Sequence, residues 1–304
     1  ARKLFHTIAE LHFESGYPYL MFDDTTNHNL PHPGRIVMSN LCSEIAQVST
    51  PSEFNSDQSY TKIGQDICCN LGSLNIAAMM ESGAEFGSSI QDAIRSLDHV
   101  SRHSDFSPVP SIQLGNKTNN AIGLGAMNLH GFLSTNEIMY ASEEAVDFTS
   151  MFFYAMAYHS FKASHVLAVE NGKPFTGFEH TKFADGTYFA KYTECADGHW
   201  EPTTDKIREI FAQYNVEIPT KQDWIQLVEN IKKDGIANAY LMAVAPTGSI
   251  SYLSSCTPSL QPVVEPVETR KEGKLGRVYF PAFKLDDKSL PYYKQDAYEV
   301  GPEA

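Results

Sequence analysis

Basic residues and cysteines are both scarce in this chain of 304 residues. Lysine and arginine number 23 against 37 acidic residues, which gives a formal net charge of −14. This charge argues against a nucleic-acid-binding protein, and a phosphate-bearing ligand would have to be held by local groups. The five cysteines are too few and too scattered for a secreted disulfide framework, and they fit a reducing compartment. We therefore expect a cytoplasmic protein.

Long apolar runs are also missing from the sequence. No stretch approaches the roughly 20 apolar residues that cross a membrane, and the first residues, Ala1 to His6, lack a signal-peptide pattern. With 42% hydrophobic residues the chain can still bury a substantial core. Helical patterns alternate with apolar segments of strand length, which predicts an α/β fold with mostly parallel pairing.

The apolar spacing and the turn residues predict the individual elements. Helices are expected over 2–14 (closed by Gly16), 88–103, 117–133, 141–170, 203–213 and 221–233, and strands over 17–22, 69–76 and 239–245. His159 falls on the apolar face of its helix, where we expect a packed, hydrogen-bonded residue at the edge of the core. Gly123 and Gly125 fall inside a predicted helix, which indicates helix packing through small residues.

The most informative segment is Asn40-Leu-Cys-Ser-Glu44. Side chains alternate between the faces of an extended chain, so an extended conformation would place Asn40, Cys42 and Glu44 on one face. A carboxylate beside a thiol disfavours the thiolate, and no lysine or arginine lies close by in the sequence to stabilise it. Cys42 is therefore poorly suited to thiolate attack. Hydrogen-atom chemistry, with a sulfur radical and Glu44 as the base, suits this pattern better.

A second candidate is the run Ala245-Pro-Thr-Gly-Ser-Ile-Ser251, which follows the last predicted strand. Backbone N–H groups at such a turn, together with the hydroxyl groups, can hold phosphate without a formal positive charge. The run is not a Walker loop, because no lysine follows it. A plain connection from a strand to a loop is the alternative interpretation.

The remaining cysteines give weaker signals. Cys68 and Cys69 are neighbours whose side chains face opposite sides of a strand, so only one of them can join Cys42. No C-x₂-C pair occurs and four zinc ligands are hard to assemble, so we expect no metal site. Cys195 and Cys256 are expected to be incidental thiols.

The sequence offers no obvious source for a radical. The helical pair Glu-x-x-His, which carboxylate-bridged di-metal sites use, does not occur. Tyr292 and Tyr293 could suggest electron transfer, but Pro291 precedes them and predicts a pair of surface tyrosines in a loop. If Cys42 becomes a radical, another component has to generate it.

Four separated segments carry a resemblance to a known family. They are Met38-Ser-Asn-Leu-Cys-Ser-Glu-Ile45, Cys69-Asn-Leu-Gly-Ser-Leu-Asn-Ile-Ala77, Asn120-Ala-Ile-Gly-Leu-Gly125 with Met127-Asn-Leu-His-Gly131, and Ala245-Pro-Thr-Gly-Ser-Ile-Ser-Tyr252. In these segments and in their order the chain resembles the large catalytic subunit of class I ribonucleotide reductase, specifically the class Ib branch. The resemblance implies a catalytic portion over 1–304 that belongs to a ten-stranded α/β barrel. A finger loop at about 36–48 would carry Cys42 into the barrel interior.

The resemblance also implies roles for single residues. Cys42 would be the thiyl radical that abstracts the 3′ hydrogen of a ribonucleoside diphosphate, and Glu44 would take the 3′-hydroxyl proton. Cys69 would be one half of the redox pair that reduces the 2′ carbon. Asn40 would be the catalytic amide that hydrogen-bonds the substrate hydroxyls. The implied substrate contacts are Asn40, Leu41, Ser43 and Glu44 in the finger loop and Pro246, Thr247, Gly248, Ser249 and Ile250 in the diphosphate loop (residues 245–251).

The same resemblance implies partners and missing parts. The radical would come from a manganese or iron di-metal cofactor in a separate small (beta) subunit, and electrons from a glutaredoxin- or thioredoxin-like protein. The full-length form would be a homodimer with its effector sites outside this chain. The family's N-terminal regulatory region, the partner cysteine of Cys69 and the C-terminal thiol tail have no counterpart here. We therefore expect a piece of a longer subunit, inactive by itself.

Two alternatives stay open. The cobalamin-dependent branch of the family has a finger sequence that typically reads Asn-Pro-Cys-Gly-Glu, and Leu41 and Ser43 favour class I instead. The other alternative is a catalytically inactive fragment that retains only structural or nucleotide-binding functions.

Overall fold

The computed structural model describes residues 1–273 and 276–294, which form a mixed structure of helices and short strands. The helices are α1 (Arg2–Ser15), α2 (Asp23–His28), α3 (Ile76–Glu81), α4 (Phe86–His103), α5 (Pro110–Asn119), α6 (Leu129–Thr135), α7 (Glu143–Glu170), α8 (Ala190–Thr193), α9 (Asp205–Tyr214), α10 (Lys221–Asp234), α11 (Gly248–Leu253) and α12 (Leu290–Tyr293). The strands are β1 (Glu53–Phe54), β2 (Tyr60–Lys62), β3 (Asn70–Asn75), β4 (Ile122–Met127), β5 (Val267–Glu272) and β6 (Gly276–Pro281). Among the described residues, no helix has the length and apolar character needed to cross a membrane.

The central sheet consists of β3 and β4, which pair in parallel from Asn70 opposite Ile122 to Asn75 opposite Met127. The chain near Met242 extends this sheet through a single parallel bridge to Leu124 rather than through the full strand predicted over 239–245. The other sheets are antiparallel pairs, β1 with β2 and β5 with β6. Parallel pairing is thus confirmed for the central sheet, but the prediction of mostly parallel pairing is wrong for the described residues, because two of their three sheets are antiparallel. The described residues do not close into a barrel, and the ten-stranded barrel stays an expectation.

Most predicted helices are confirmed. The ends of several of them are capped by residues that lie close by in the sequence. Gly16 closes α1 with a left-handed φ of 73°, which glycine adopts without steric cost. The Ser142 side chain accepts a hydrogen bond from the Ala145 N–H at the start of α7. Thr220 and Asp223 form a reciprocal capping box at the start of α10. Such caps depend on neighbouring residues, so the sequence alone can reveal them.

The helix predicted over 117–133 is wrong. The region divides into the end of α5, the strand β4 and the start of α6. All six residues of β4 are buried, and a strand buried on both faces has no alternating pattern that would distinguish it from a helix. The glycines therefore do not serve helix packing: a side chain on Gly125 would meet the carbonyl oxygen of Ala243 at 2.3 Å.

The strand predicted over 17–22 is also wrong, since the structure has no strand in this segment. Its aromatic side chains are exposed, with Phe22 at 75% and Tyr19 at 53% of full exposure. An aromatic segment forms a strand only when a partner strand supplies hydrogen bonds and packing. The described residues give this segment no such partner.

The core lies between the central sheet and the long helix α7. α7 packs along α4, and α4 packs on the sheet. Phe86, Phe148 and Phe152 are at most 2% exposed and stack edge to face or at a tilt. His159 packs beside Phe86 and Tyr158 as predicted, and burial lowers its pKa to about 4. The hydrogen bond predicted for it is absent: its buried Nδ1 has no partner among the described residues.

Candidate active site

The segment around Cys42 is a tight turn, so the prediction of an extended strand is wrong. Ser43 has a positive φ of 65°, and its N–H donates to the Asn40 carbonyl oxygen at 3.1 Å. The Asn40 side chain closes the turn, because its Oδ1 accepts the Ile45 N–H at 3.0 Å. Asn40, Leu41, Cys42 and Ser43 are all exposed. Alternation along a strand therefore does not bring Asn40, Cys42 and Glu44 onto one face.

Glu44 differs from the rest of the turn because it is partly buried and lines a cavity. The cavity has a volume of about 540 Å³, and Glu44 is its only charged lining residue among the described residues. Apart from Ser150, its other walls are apolar or aromatic, and they include Leu124, Met242, Tyr154 and Trp200. The Oε2 atom of Glu44 is buried and accepts no hydrogen bond from the described residues. An acceptor in this state is available to a ligand.

Cys69 lies immediately before β3 and is half-buried. The pKa of its thiol is raised to about 12, mainly by burial and also by the neighbouring Cys68 and the charge of Glu44, whereas a hydrogen bond from Gln47 lowers it. At neutral pH Cys69 is therefore a protonated thiol, which gives up hydrogen atoms rather than acting as a nucleophile. The charge of Glu44 is a minor contributor to this raised pKa.

The faces of β3 explain how Cys69 reaches the site. Gly72 faces α4, where a side chain would meet Leu97 at 3.3 Å. By alternation, Cys69 and Leu71 take the opposite face. Both meet β4 at Gly123, where an added Cβ would lie 3.0 Å from Cys69 Sγ and 2.6 Å from Leu71 Cδ2. The Cys69 sulfur thus occupies space that a larger residue at position 123 would fill.

The other thiols stay apart from this arrangement. All five cysteines are free, and no hydrogen bond among the described residues joins Cys42 to Glu44 or Cys69. Burial raises the pKa of Cys68 and raises that of Cys256 to about 11. The described residues also contain no cluster of three or more His, Cys, Asp or Glu side chains that could hold a metal ion.

The run 245–251 contains a helix start that the sequence analysis missed. Thr247 adopts a left-handed conformation with φ 54° and precedes the short helix α11. The first bond of this turn joins the Ser251 N–H to the Thr247 carbonyl oxygen at 3.0 Å. The N–H groups of the three preceding residues therefore have no partner within the helix. Pro246, Gly248, Ser249 and Ile250 are exposed, whereas the Thr247 side chain is buried.

The sequence of the chain matches the family description "Ribonucleotide reductase, barrel domain" over residues 1–297. The chain belongs to the ribonucleotide reductase barrel-domain family. It is 63% identical over 303 residues to the ribonucleoside-diphosphate reductase subunit alpha of Mycoplasma pneumoniae, which covers 100% of this chain and 42% of that relative. The Bacillus subtilis protein of the same name is 40% identical over 98% of this chain and 42% of its own length. This ribonucleotide reductase domain thus spans less than half the length of these relatives.

Three polar residues of this reductase domain gave no signal of their own in the sequence. Asn75, Asn128 and Thr257 come from three different segments and join in one hydrogen-bonded group. Asn128 Nδ2 donates to Asn75 Oδ1 at 2.9 Å, and the Thr257 N–H donates to Asn128 Oδ1 at 3.1 Å. Asn128 lies in the quoted Met127–Gly131 segment, but only the fold brings it to Thr257.

The prediction for the two late tyrosines of the domain is wrong for one of them. Tyr293 ends the short helix α12 and is completely buried, and its hydroxyl donates to the Phe283 carbonyl oxygen at 2.5 Å. Its ring lies edge to face against His130 with a centroid distance of 5.1 Å. Burial raises the Tyr293 pKa. Tyr293 is therefore a packing residue rather than a member of a surface pair.

Proposed function

We propose that this domain, within a full-length subunit, reduces ribonucleoside diphosphates to 2′-deoxyribonucleoside diphosphates by thiyl-radical chemistry and so supplies DNA precursors. One observation carries the proposal. Glu44 lines a cavity and keeps one buried carboxylate oxygen without a partner among the described residues, and its charge acts on the protonated thiol of Cys69. The proposed reaction needs both groups, since a base must take a hydroxyl proton and a neutral thiol must give hydrogen to the ribose.

The proposed reaction starts with Cys42 as a thiyl radical. A Cys42 thiyl radical takes the hydrogen atom from C3′, and Glu44 accepts the proton of the 3′-hydroxyl. The 2′-hydroxyl takes a proton from one of the two reducing thiols and leaves as water. Cys69 and a second thiol together supply two electrons and two protons, of which one proton leaves in the water and the other becomes the new hydrogen on C2′, and they end as a disulfide. Glu44 returns its proton to the 3′ oxygen. Cys42 then returns its hydrogen atom to C3′, which regenerates the thiyl radical.

The exposed start of α11 supports the assignment of the substrate's diphosphate to residues 245–251. The N–H groups of Gly248, Ser249 and Ile250 are free of intrahelical bonds, and such groups bind phosphate oxygens. An added side chain at Gly248 would meet nothing within 4 Å, so the backbone there is open to close approach. Asn40, Leu41 and Ser43 would contact the ribose from the turn around Cys42.

The proposal extends to the complete assembly. We propose that the domain completes a class Ib ten-stranded barrel, which encloses the turn carrying Cys42. A small subunit with a manganese or iron di-metal cofactor would supply the radical, and a glutaredoxin- or thioredoxin-like protein would supply the electrons. The subunit would be a cytoplasmic homodimer, with effector sites outside these 304 residues. On its own, the chain is expected to form no product.

The test is the reduction of isotope-labelled CDP by a full-length subunit with its small subunit and dithiothreitol. Cys42→Ser should abolish deoxycytidine diphosphate formation while CDP binding stays unchanged, because serine cannot carry the radical. Cys195→Ser is the matched control, since this half-buried cysteine lies outside the site and should leave turnover intact. Turnover that survives Cys42→Ser would remove Cys42 from the mechanism. Product that appears only after adenosylcobalamin is added would assign the subunit to the cobalamin-dependent branch instead.

A further inference from the structure

Asn128 follows directly after the strand β4 and is a fully buried residue with a left-handed φ of 73°. Its side chain uses both its donor and its acceptor. Nδ2 donates to Asn75 Oδ1 at 2.9 Å, and Oδ1 accepts the N–H and the hydroxyl of Thr257 at 3.1 and 3.2 Å. The Asn128 N–H also donates to the Thr257 carbonyl oxygen at 2.9 Å. Asn128 therefore binds the ends of β3 and β4 to the segment that contains Thr257.

Thr257 belongs to the segment that leaves the proposed diphosphate loop. It lies four residues after Leu253, the last residue of α11, and it is 2% exposed. Its Oγ also accepts the Gly131 N–H at 3.1 Å. Two residues further on, the Ser259 N–H donates to Thr247 Oγ at 2.7 Å, which closes the segment back on the start of α11. The position of Thr257 therefore sets the position of the whole loop.

The segment that enters the loop is fixed on the same strand. Its Ala243 carbonyl oxygen lies so close to β4 that a Cβ on Gly125 would approach it to 2.3 Å. The loop is thus attached to β4 on both sides, by close contact at Gly125 and by hydrogen bonds at Asn128. The same strand contacts the Cys69 sulfur at Gly123.

We propose that Asn128 is a positioning residue that holds the diphosphate loop at a fixed place along β4 relative to Cys69. The inference rests on the proposed function for what the loop binds. Without the Asn128 side chain, the loop loses its side-chain link to Asn75 at the end of β3 and keeps only the bonds from the Asn128 and Gly131 N–H groups to Thr257. The diphosphate of the substrate would then lie less well placed relative to the reactive thiols, so substrate binding should weaken.

The experiment compares Asn128→Gly with Asn120→Gly in a full-length subunit. Asn120 is a matched control because it precedes the same strand, is buried and is left-handed at φ 42°, but bonds to Asp98 and not to the loop. Glycine accepts the left-handed conformation, so each variant removes only a side chain. Asn128→Gly should raise the KM for CDP and its calorimetric Kd by about tenfold or more, the equivalent of one lost hydrogen bond. Asn120→Gly should lower the Tm at least as much with both constants unchanged.

A second pair of variants keeps the test decisive if Asn128→Gly does not fold. Thr257→Val keeps the shape but removes the hydroxyl that Asn128 and Gly131 contact, whereas Thr257→Ser restores it. The valine variant should raise the KM and the serine variant should not. Equal increases in KM from Asn128→Gly and Asn120→Gly, or no increase from Asn128→Gly and Thr257→Val, would overturn the inference.

The same measurements separate this inference from the proposed function. A wild-type subunit that binds CDP but never reduces it would overturn the proposed reaction. In that case, CDP binding that is weaker in Asn128→Gly but unchanged in Asn120→Gly would still support the role of Asn128. A wild-type subunit that binds no CDP would overturn both.

Discussion

Two asparagines flank the strand β4, and their surroundings differ in an instructive way. Both are buried and left-handed. Asn120, at the amino end, donates through Nδ2 to Asp98 Oδ1 at 2.5 Å, and Asn238 Nδ2 donates to the same oxygen at 3.0 Å. The Ser164 hydroxyl in turn donates to Asn238 Oδ1 at 2.8 Å. At this end the polar groups join α4, α7 and the sheet to one another.

At the carboxyl end Asn128 joins Asn75, at the end of β3, to Thr257 in the segment that follows α11. Thr257 continues from α11, whose first residues are exposed. The same residue type in the same backbone conformation therefore unites core elements at one end and places a loop at the other. Ligands of sheets with parallel strands generally bind beyond the carboxyl ends of the strands.

The carboxylates of Asp98 and Glu44 show the same contrast between a group that joins core elements and a group at the candidate site. Asp98 is 4% exposed, and both of its oxygens accept hydrogen bonds, including one from Arg102 Nε at 2.7 Å. Glu44 keeps one buried oxygen without a partner. An unpaired buried acceptor costs about 1–3 kcal/mol, so its presence is consistent with a group kept for a ligand. Asp98 supports stability, and Glu44 supports the proposed chemistry.

The largest expected effects come from separate substitutions of Glu44 and Asp98. In the full-length subunit, Glu44→Gln should lower turnover of CDP by about 10²–10⁴-fold, because the amide cannot accept the proton. Its free energy of unfolding should change by less than about 1 kcal/mol, since no hydrogen bond to Oε2 is lost. Asp98→Leu should instead cost about 3–5 kcal/mol, because it leaves buried donors unpaired. Denaturant unfolding and the CDP assay measure both, and a large stability loss in Glu44→Gln would break the comparison.

A smaller effect on stability is expected from alanine substitutions at two glycines, Gly125 on β4 and Gly248 in the diphosphate loop. A Cβ on Gly125 would lie 2.3 Å from the Ala243 carbonyl oxygen, so Gly125→Ala forces the backbone apart and should cost about 1–3 kcal/mol. A Cβ on Gly248 meets nothing within 4 Å, so Gly248→Ala should change the free energy of unfolding by less than about 1 kcal/mol. Denaturant unfolding of both variants provides the measurement. Equal destabilisation would contradict the close contact at Gly125.

The smallest expected effect concerns the alkaline stability of the fold. The pKa of Cys69 is raised to about 12 in the folded chain, mainly by burial, so the unfolded state loses its thiol proton first as the pH rises. Stability from this group is complete below the unfolded pKa of roughly 8.5 and is lost as the pH rises toward 12. Cys69→Ser should therefore flatten the decline in stability above about pH 9. Identical alkaline profiles for Cys69→Ser and the wild type would show that Cys69 is not buried as described.

Much of the secondary structure followed from local sequence. Five predicted helices exist, because their apolar faces and caps depend on residues that lie close together in the sequence. They are the helix at the start of the chain and those predicted over 88–103, 141–170, 203–213 and 221–233. The strand beside Cys69 was also predicted, over 69–76, and β3 occupies Asn70–Asn75. The strand β4 was not, since burial on both faces removes the pattern that identifies a strand.

The chemical character of the candidate site came from the sequence, but its arrangement did not. The residue types at positions 40, 42, 44 and 69 favour radical and acid–base chemistry, and the net charge of −14 excludes an electrostatic funnel for phosphate. The turn at Ser43, the cavity that Glu44 lines and the burial that keeps Cys69 protonated exist only in the folded chain. Likewise, Asn128 meets Thr257 across 129 residues of sequence. Local pattern fixes which groups are present, whereas distances between remote groups and their desolvation depend on how the elements pack.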